Sequence, residues 1–386
     1  MIYRHLLVAI GFYLPLVQVL FIVFGGARGD YFLYEGINES FLIFFVLYGG
    51  SASIILYSLY IKALPIDSAL TSRAFERYGS ILFWFSVLGL SILIINNLVN
   101  GTSPSNVVSQ RGTASLLFGY FARLFSSCVV VYLLLAFAAC RKFNVGIFII
   151  ILFQLVYFVS SESRFGLLWL ASVLLFGVSF FNLRMGKKGI ILIFIGLFSV
   201  LLGSYFRSND AFLVLINIFK RLFSGQLAIV LAYENPTEFR SFIFEGNPYL
   251  IISHALAPLV DRVGMSTSLR LPEYWGVDPL ANTSGHIAGY SFGWLGLSYA
   301  SFNWFGLAFI AVVFWGLKRL VQLPGNRYLM RFFVYAFVCL SSLEFIGNFG
   351  WENFIDKSFK LAIFMTASYF MVLGLSQISR GVVKKL

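Results

Sequence analysis

Arg164 in SSESRFGLL (160–168) and Arg207 in GSYFRSND (203–210) are the residues of this chain best suited to chemistry. A guanidinium keeps its charge and presents a planar fork of donors that matches two phosphate oxygens at once, so the pair could grip a phosphate or diphosphate group. Arg123, Arg240, Arg262 and Arg270 are further cations of the same kind. Each has a plainer competing role: a local pair with Glu162 for Arg164, interface anchoring for Arg207, and simple solvation for Arg240, Arg262 and Arg270. His286, in the polar stretch ANTSGHIAG, could accept a hydroxyl proton near neutral pH, and His254 stands in the same long segment. Glu344 is the one acid inside an apolar run, and it competes as base, as counter-ion or as structural partner of Arg123. Tyr274 and Trp275, with Tyr249, offer flat faces on which a sugar ring could stack, whereas Tyr290 and Trp294 fit the aromatic belt at a membrane boundary.

Other chemistries find no footing in the sequence. There is no phosphate-binding glycine loop between a strand and a helix, no HExxH, no GxSxG elbow and no aspartate pair of a metal-dependent sugar transferase. The expectation is a site with no cofactor and no protein-bound metal. Cys128, Cys140 and Cys339 all fall in or beside apolar runs, which supports neither a disulfide framework nor a zinc site.

The elements that must position these residues are apolar runs of membrane length. The chain is 59% hydrophobic and 11% charged, with a mean hydropathy of +0.87, whereas soluble domains average about 25% charged residues. A helix needs roughly 17–25 apolar residues to cross a bilayer core. Ten candidates are read: 6–24, 41–61, 80–99, 114–139, 145–161, 165–183, 189–206, 293–317, 332–349 and 361–376. Only Arg123 and Glu344 place a charge inside one. For Arg123 the preferred reading is a crossing over 124–140, which leaves the arginine at the outer boundary. The first run is read as a retained helix rather than a signal peptide.

Charge fixes the expected orientation. Alternate gaps hold 16 basic residues, among them Arg73, Arg77, Lys318, Arg319 and Arg331, against two acids, Asp67 and Glu76. The other short gaps hold five basic and six acidic residues. Excess Lys and Arg mark the cytoplasmic face, so both termini are expected inside. The net charge of +12 is thereby a topology signal and does not point to nucleic acid. Three parts follow: 1–206 with seven transmembrane helices, a large extracytoplasmic loop over 207–292, and 293–386 with the last three. Within the loop, 211–219, 222–233 and 249–260 are apolar but too short to cross, and read as interfacial helices. Residues 261–285 are rich in Pro, Gly, Asn and Asp and read as irregular loop. Asn38, Asn100 and Asn282 begin N-x-[ST] triplets that decide nothing. The fold class is therefore an all-α polytopic membrane protein.

Two segments in this layout resemble the Wzy-type O-antigen and oligosaccharide repeat-unit polymerases of bacterial envelopes. SSESRFGLLWL (160–170) is similar to that family's Ser-Arg-x-x-Leu-Leu pattern at a helix entrance, and GYSFGWLGLSYASFNWFG (289–306) looks like its return from the large loop. The resemblance implies an enzyme of the inner membrane that joins undecaprenyl-diphosphate-linked oligosaccharides on the outer face. Donor and acceptor would both be lipid-linked, surrounded by membrane lipids, with a chain-length regulator as protein partner. It assigns Arg164 and Arg207 to the diphosphate, with Arg123 and Arg270 as further contacts, and the base to His286 or, second, Glu344. The sparse histidines and acids of the loop depart from the family's pattern at the base.

Three rivals share parts of this pattern. A ligase-like glycan transferase has the same topology. A transporter or flippase would spread ionisable residues along several spans and show matched halves, neither of which the sequence has. A membrane acyltransferase would show a His-rich motif near a helix end, and none is present.

Overall fold

A computed structural model of the chain describes residues 39–59, 67–100, 113–140, 144–160, 293–323, 328–347 and 351–383, with isolated positions in 12–20 and Tyr233; side chains at 113–123, 158–160, 343–347, 351–357 and 379–383 and a few others near 293–301 are not among them. The described residues are helical almost throughout. The helices are α1 (Glu39–Ser58), α2 (Ser68–Asn100), α3 (Thr113–Cys140), α4 (Val145–Ser160), α5 (Gly293–Phe302), α6 (Gly306–Gln322), α7 (Tyr328–Gly347) and α8 (Trp351–Val383). A single 3-10 turn, Asn303–Phe305, joins α5 to α6. Ser40–Ser58, Ser68–Val99, Asn303–Gln322 and Ser358–Ile378 are long and apolar enough to cross a membrane; Leu124–Cys140, Val145–Tyr157 and Tyr328–Ser342 are shorter apolar stretches. The chain is thus a helical protein with several membrane-length segments. The runs 165–183 and 189–206 lie outside the described residues.

Local chemistry explains where the helices begin. α2 starts twelve residues before its apolar run because Asp67 caps it: the carboxylate accepts the Ala69 amide at 2.8 Å and the Leu70 amide at 3.2 Å. Asn144 does the same for α4, accepting the Ile147 amide at 2.8 Å. Serines inside the apolar helices return their hydroxyls to the preceding turn, as Ser53 does to Gly49 O, Ser86 to Leu82 O and Ser342 to Val338 O. In a lipid-depth helix that satisfies a donor which would otherwise cost several kcal/mol.

α3 is the centre of the bundle. It packs on α2, α4, α7 and α8, and every residue from Cys128 to Ala138 is at most 5% exposed. A helix apolar on all faces can be enclosed in this way. Its closest neighbour is α2, where Gly89 meets the α3 backbone: an added Cβ would stand 2.6 Å from the Ser126 amide nitrogen and 2.7 Å from Phe125 Cβ. Ring pairs Phe83–Tyr132 at 5.6 Å and Phe85–Phe125 at 5.2 Å fill the seam to either side. A small residue at the crossing and large rings beside it are how helices approach closely where burial of apolar surface gives no drive. α8 is tied to α3 by hydroxyls: Ser127 and Ser368 are 2.8 Å apart, and Ser368 donates to Leu124 O at 2.8 Å.

One expected span is not continuous. The run 293–317 reads as a single helix, yet the chain breaks at Asn303, whose φ of 57° is left-handed. Asparagine tolerates that region better than other side-chain-bearing residues. The break turns Trp304 edge-on to Phe44 and Tyr48, at 5.8 and 5.6 Å. It also brings Gly306 against the Tyr48 hydroxyl and the Ser298 carbonyl, where no Cβ would fit.

Candidate functional site

Contacts between helix ends sort the gaps into two groups. At one end Tyr328, which begins α7, donates its hydroxyl to Asp67 O at 2.9 Å and accepts the Thr71 hydroxyl at 3.1 Å. Both partners belong to gaps whose composition is strongly basic. At the other end the first turns of α1 meet α5 and the long segment between 207 and 292. Phe44 is the hub there: Tyr233 stacks on it at 4.6 Å and 25°, and Tyr299 lies against it at 4.5 Å. Phe41 meets the Tyr233 ring edge at 5.4 Å, and Tyr48 meets Tyr299 at 5.2 Å. No basic-gap residue joins this cluster among the described contacts. Like gaps meet like gaps.

Tyr233 ends the short apolar stretch 222–233, and α5 begins at Gly293. Tyr233 and Tyr299 are held on the same face of α1. Arg240, Arg262, Arg270, Tyr274, Trp275 and His286 all lie between them in the chain. Sequence reading singled out none of Phe41, Phe44, Tyr48, Tyr233 or Tyr299, since aromatic residues make up 19% of the chain and single rings carry no signal.

Of the candidate site residues, two lie on described helices. Arg123 is ten residues into α3, and Glu344 is three residues before the end of α7. α3 is continuous from Thr113, so the helix extends beyond the expected crossing of 124–140 and Arg123 lies within it. Seventeen steps of about 1.5 Å place it about 26 Å from Cys140 along the axis, against a core of about 30 Å. α3 and α7 pack together, as an Arg123–Glu344 pairing would require. One turn further along α3, Leu124 and Ser127 receive Ser368, so α8 reaches the same level. Arg164, Arg207, Arg270, His286, Tyr274 and Trp275 lie outside the described residues, as do the side chains of Arg123 and Glu344.

Two buried hydroxyls at the α1–α5 contact stand out. Tyr48 Oη and Ser298 Oγ are enclosed and have no hydrogen-bond partner among the described residues. Their described surroundings are rings and the Gly306 backbone. Gln154, midway along apolar α4, also buries an amide oxygen without a partner among the described residues.

Comparison of the chain with protein-family models, with curated proteins and with solved structures found no match.

Proposed function

We propose that this chain is a membrane glycosyltransferase that polymerises oligosaccharide repeat units carried on undecaprenyl diphosphate, at the outer face of the bacterial plasma membrane, with both termini cytoplasmic. The observation that carries the reading is Arg164 and Arg207, which stand at gaps opposite the side that holds 16 of the 28 Lys and Arg residues. Arginines there run against the orientation rule, and a bound anion accounts for them.

In this reaction an acceptor hydroxyl attacks the anomeric carbon of the donor glycan. The bond from that carbon to the diphosphate oxygen breaks, and undecaprenyl diphosphate leaves with the electron pair. The hydroxyl proton passes to His286, or to Glu344 in its place. A diphosphate is already a stable anion, so the protein needs no strong acid. Its work is to hold the growing charge with Arg164 and Arg207, assisted by Arg123 and Arg270, and to orient two lipid-anchored substrates. Tyr274 and Trp275 supply stacking faces for the sugars. The anchorage of Tyr233 and Tyr299 on Phe44 supports the reading, because a loop bearing site residues needs a fixed root.

Arg164→Ala and Arg207→Ala should each collapse a polymer ladder to a single repeat unit on a gel. Arg164→Lys and Arg207→Lys should recover part of it, since charge remains but the fork is lost. Unchanged ladders in both alanine variants would refute the assignment. Long chains retained on the carrier lipid would point instead to ligase-like transfer.

A further inference from the structure

α6 divides into two faces. Gly306, Ile310, Phe314, Leu317 and Val321 are buried against the bundle. Ala308, Val312, Trp315, Arg319 and Gln322, spaced by four, three, four and three, form one exposed stripe on the opposite face. Along that stripe the chemistry changes in order: small and aliphatic, then indole, then guanidinium and amide. Val312 is 64% and Trp315 53% exposed, so the stripe is open along its length.

Its polar end is built rather than merely charged. The Arg319 guanidinium carbon lies 5.3 Å from the centre of the Trp315 ring, and Nη1 donates to Gln322 Oε1 at 3.3 Å. Ring and amide hold the fork on two sides, and its remaining donors meet no partner among the described residues. Lys318 adjoins it, and Arg331 lies over the Tyr328 ring on the neighbouring α7. No described carboxylate pairs with Arg319 or Lys318. Of the two acids in the basic gaps, Asp67 is spent on the cap of α2, and Glu76 stands exposed on α2.

We propose that this stripe binds an anionic phospholipid, with the acyl chain along Ala308 and Val312, the glycerol region at Trp315 and the phosphate on Arg319. The order of the stripe matches the order of a lipid from tail to headgroup, and α6 belongs to a segment of membrane length. Two turns separate Val312 from Arg319, about 10 Å along the axis, which spans the outer part of an acyl chain to its phosphate. Lys318 and Arg319, neither of them paired with a described carboxylate, select a headgroup with net negative charge over a zwitterion. The site does not depend on the glycan-transfer reading.

The test uses the full chain in detergent, titrated with phosphatidylglycerol or phosphatidylcholine, with bound lipid counted by native mass spectrometry. Phosphatidylglycerol should bind more tightly. Arg319→Gln should weaken it about tenfold, the effect expected for one charge-assisted contact, and leave phosphatidylcholine unchanged. Arg319→Lys should fall between, and Arg73→Gln, an exposed cation at the same end of the bundle, should have no effect. Acyl-brominated phosphatidylglycerol should quench tryptophan fluorescence by a component lost in Trp315→Phe. Equal binding by Arg319→Gln and the parent chain would overturn the proposal. So would an equal loss in Arg73→Gln, which means diffuse charge, or full competition by soluble glycerophosphoglycerol, which means a site for a free phosphate.

Discussion

At the residue scale, glycine substitutions separate two opposing effects. In a helix, Gly→Ala gains about 0.5–1 kcal/mol from reduced backbone freedom, while overfilling a tight contact costs about 1–3 kcal/mol. At Gly89 the added carbon would press on the α3 backbone, which cannot swing aside as a side chain can. At Gly50 it meets nothing within 4 Å. Gly89→Ala should therefore lower the thermal midpoint of the purified protein, and Gly50→Ala should hold or raise it. A lower midpoint for Gly50→Ala, or none for Gly89→Ala, would show that the α2–α3 crossing is looser than described. Nothing in the sequence distinguishes the two glycines. Both lie in apolar helical runs, and only the neighbour across the gap gives them different roles.

Caps and breaks act at the scale of the element. The apolar run 80–99 marks the lipid-depth part of α2, but not the polar turns that precede it. Asp67 enters the sequence reading only as one of two acids in a basic gap, and its role as the cap of α2 comes from the structure. The break between α5 and α6 had no such signal, because Asn303 in an apolar run reads as an ordinary polar interruption. Its left-handed backbone is dictated by what surrounds it, Trp304 against Phe44 and Gly306 against Tyr48. Asn303→Gly should be neutral, since glycine enters that region freely. Asn303→Val should cost about 1–2 kcal/mol, read as a lower unfolding midpoint. Equal stability of the two variants would mean that the turn relaxes.

For the whole molecule, the sorting of charges and the contacts between helix ends give one pattern. Tyr328 and Asp67 join two basic gaps, while Tyr233 and Tyr299 meet on Phe44 at the start of α1. The expected orientation puts the first pair inside and the second outside. In a chain lacking Cys128, Cys140 and Cys339, Ser40→Cys should react with a membrane-impermeant maleimide in spheroplasts. Leu323→Cys should react only after the membrane is opened. The reverse pattern would invert the protein and place Arg164 and Arg207 on the wrong side for an outer-face transferase.

The sequence alone determined the class of solvent and the class of structure, because hydropathy and length are sums over consecutive residues and backbone groups in lipid must be satisfied within the helix. It marked membrane-length segments at 41–61 and 361–376, close to Ser40–Ser58 and Ser358–Ile378. It did not decide which helix is enclosed. Lipid tails are as apolar as leucine, so Cys128–Ala138 on buried α3 and the lipid-facing residues of α2 are written in the same alphabet. Only the tertiary arrangement made α3 the centre of the described helices, brought Tyr233 and Tyr299 together on Phe44, and left the Trp315–Arg319 face of α6 open, because each depends on residues far apart in the chain.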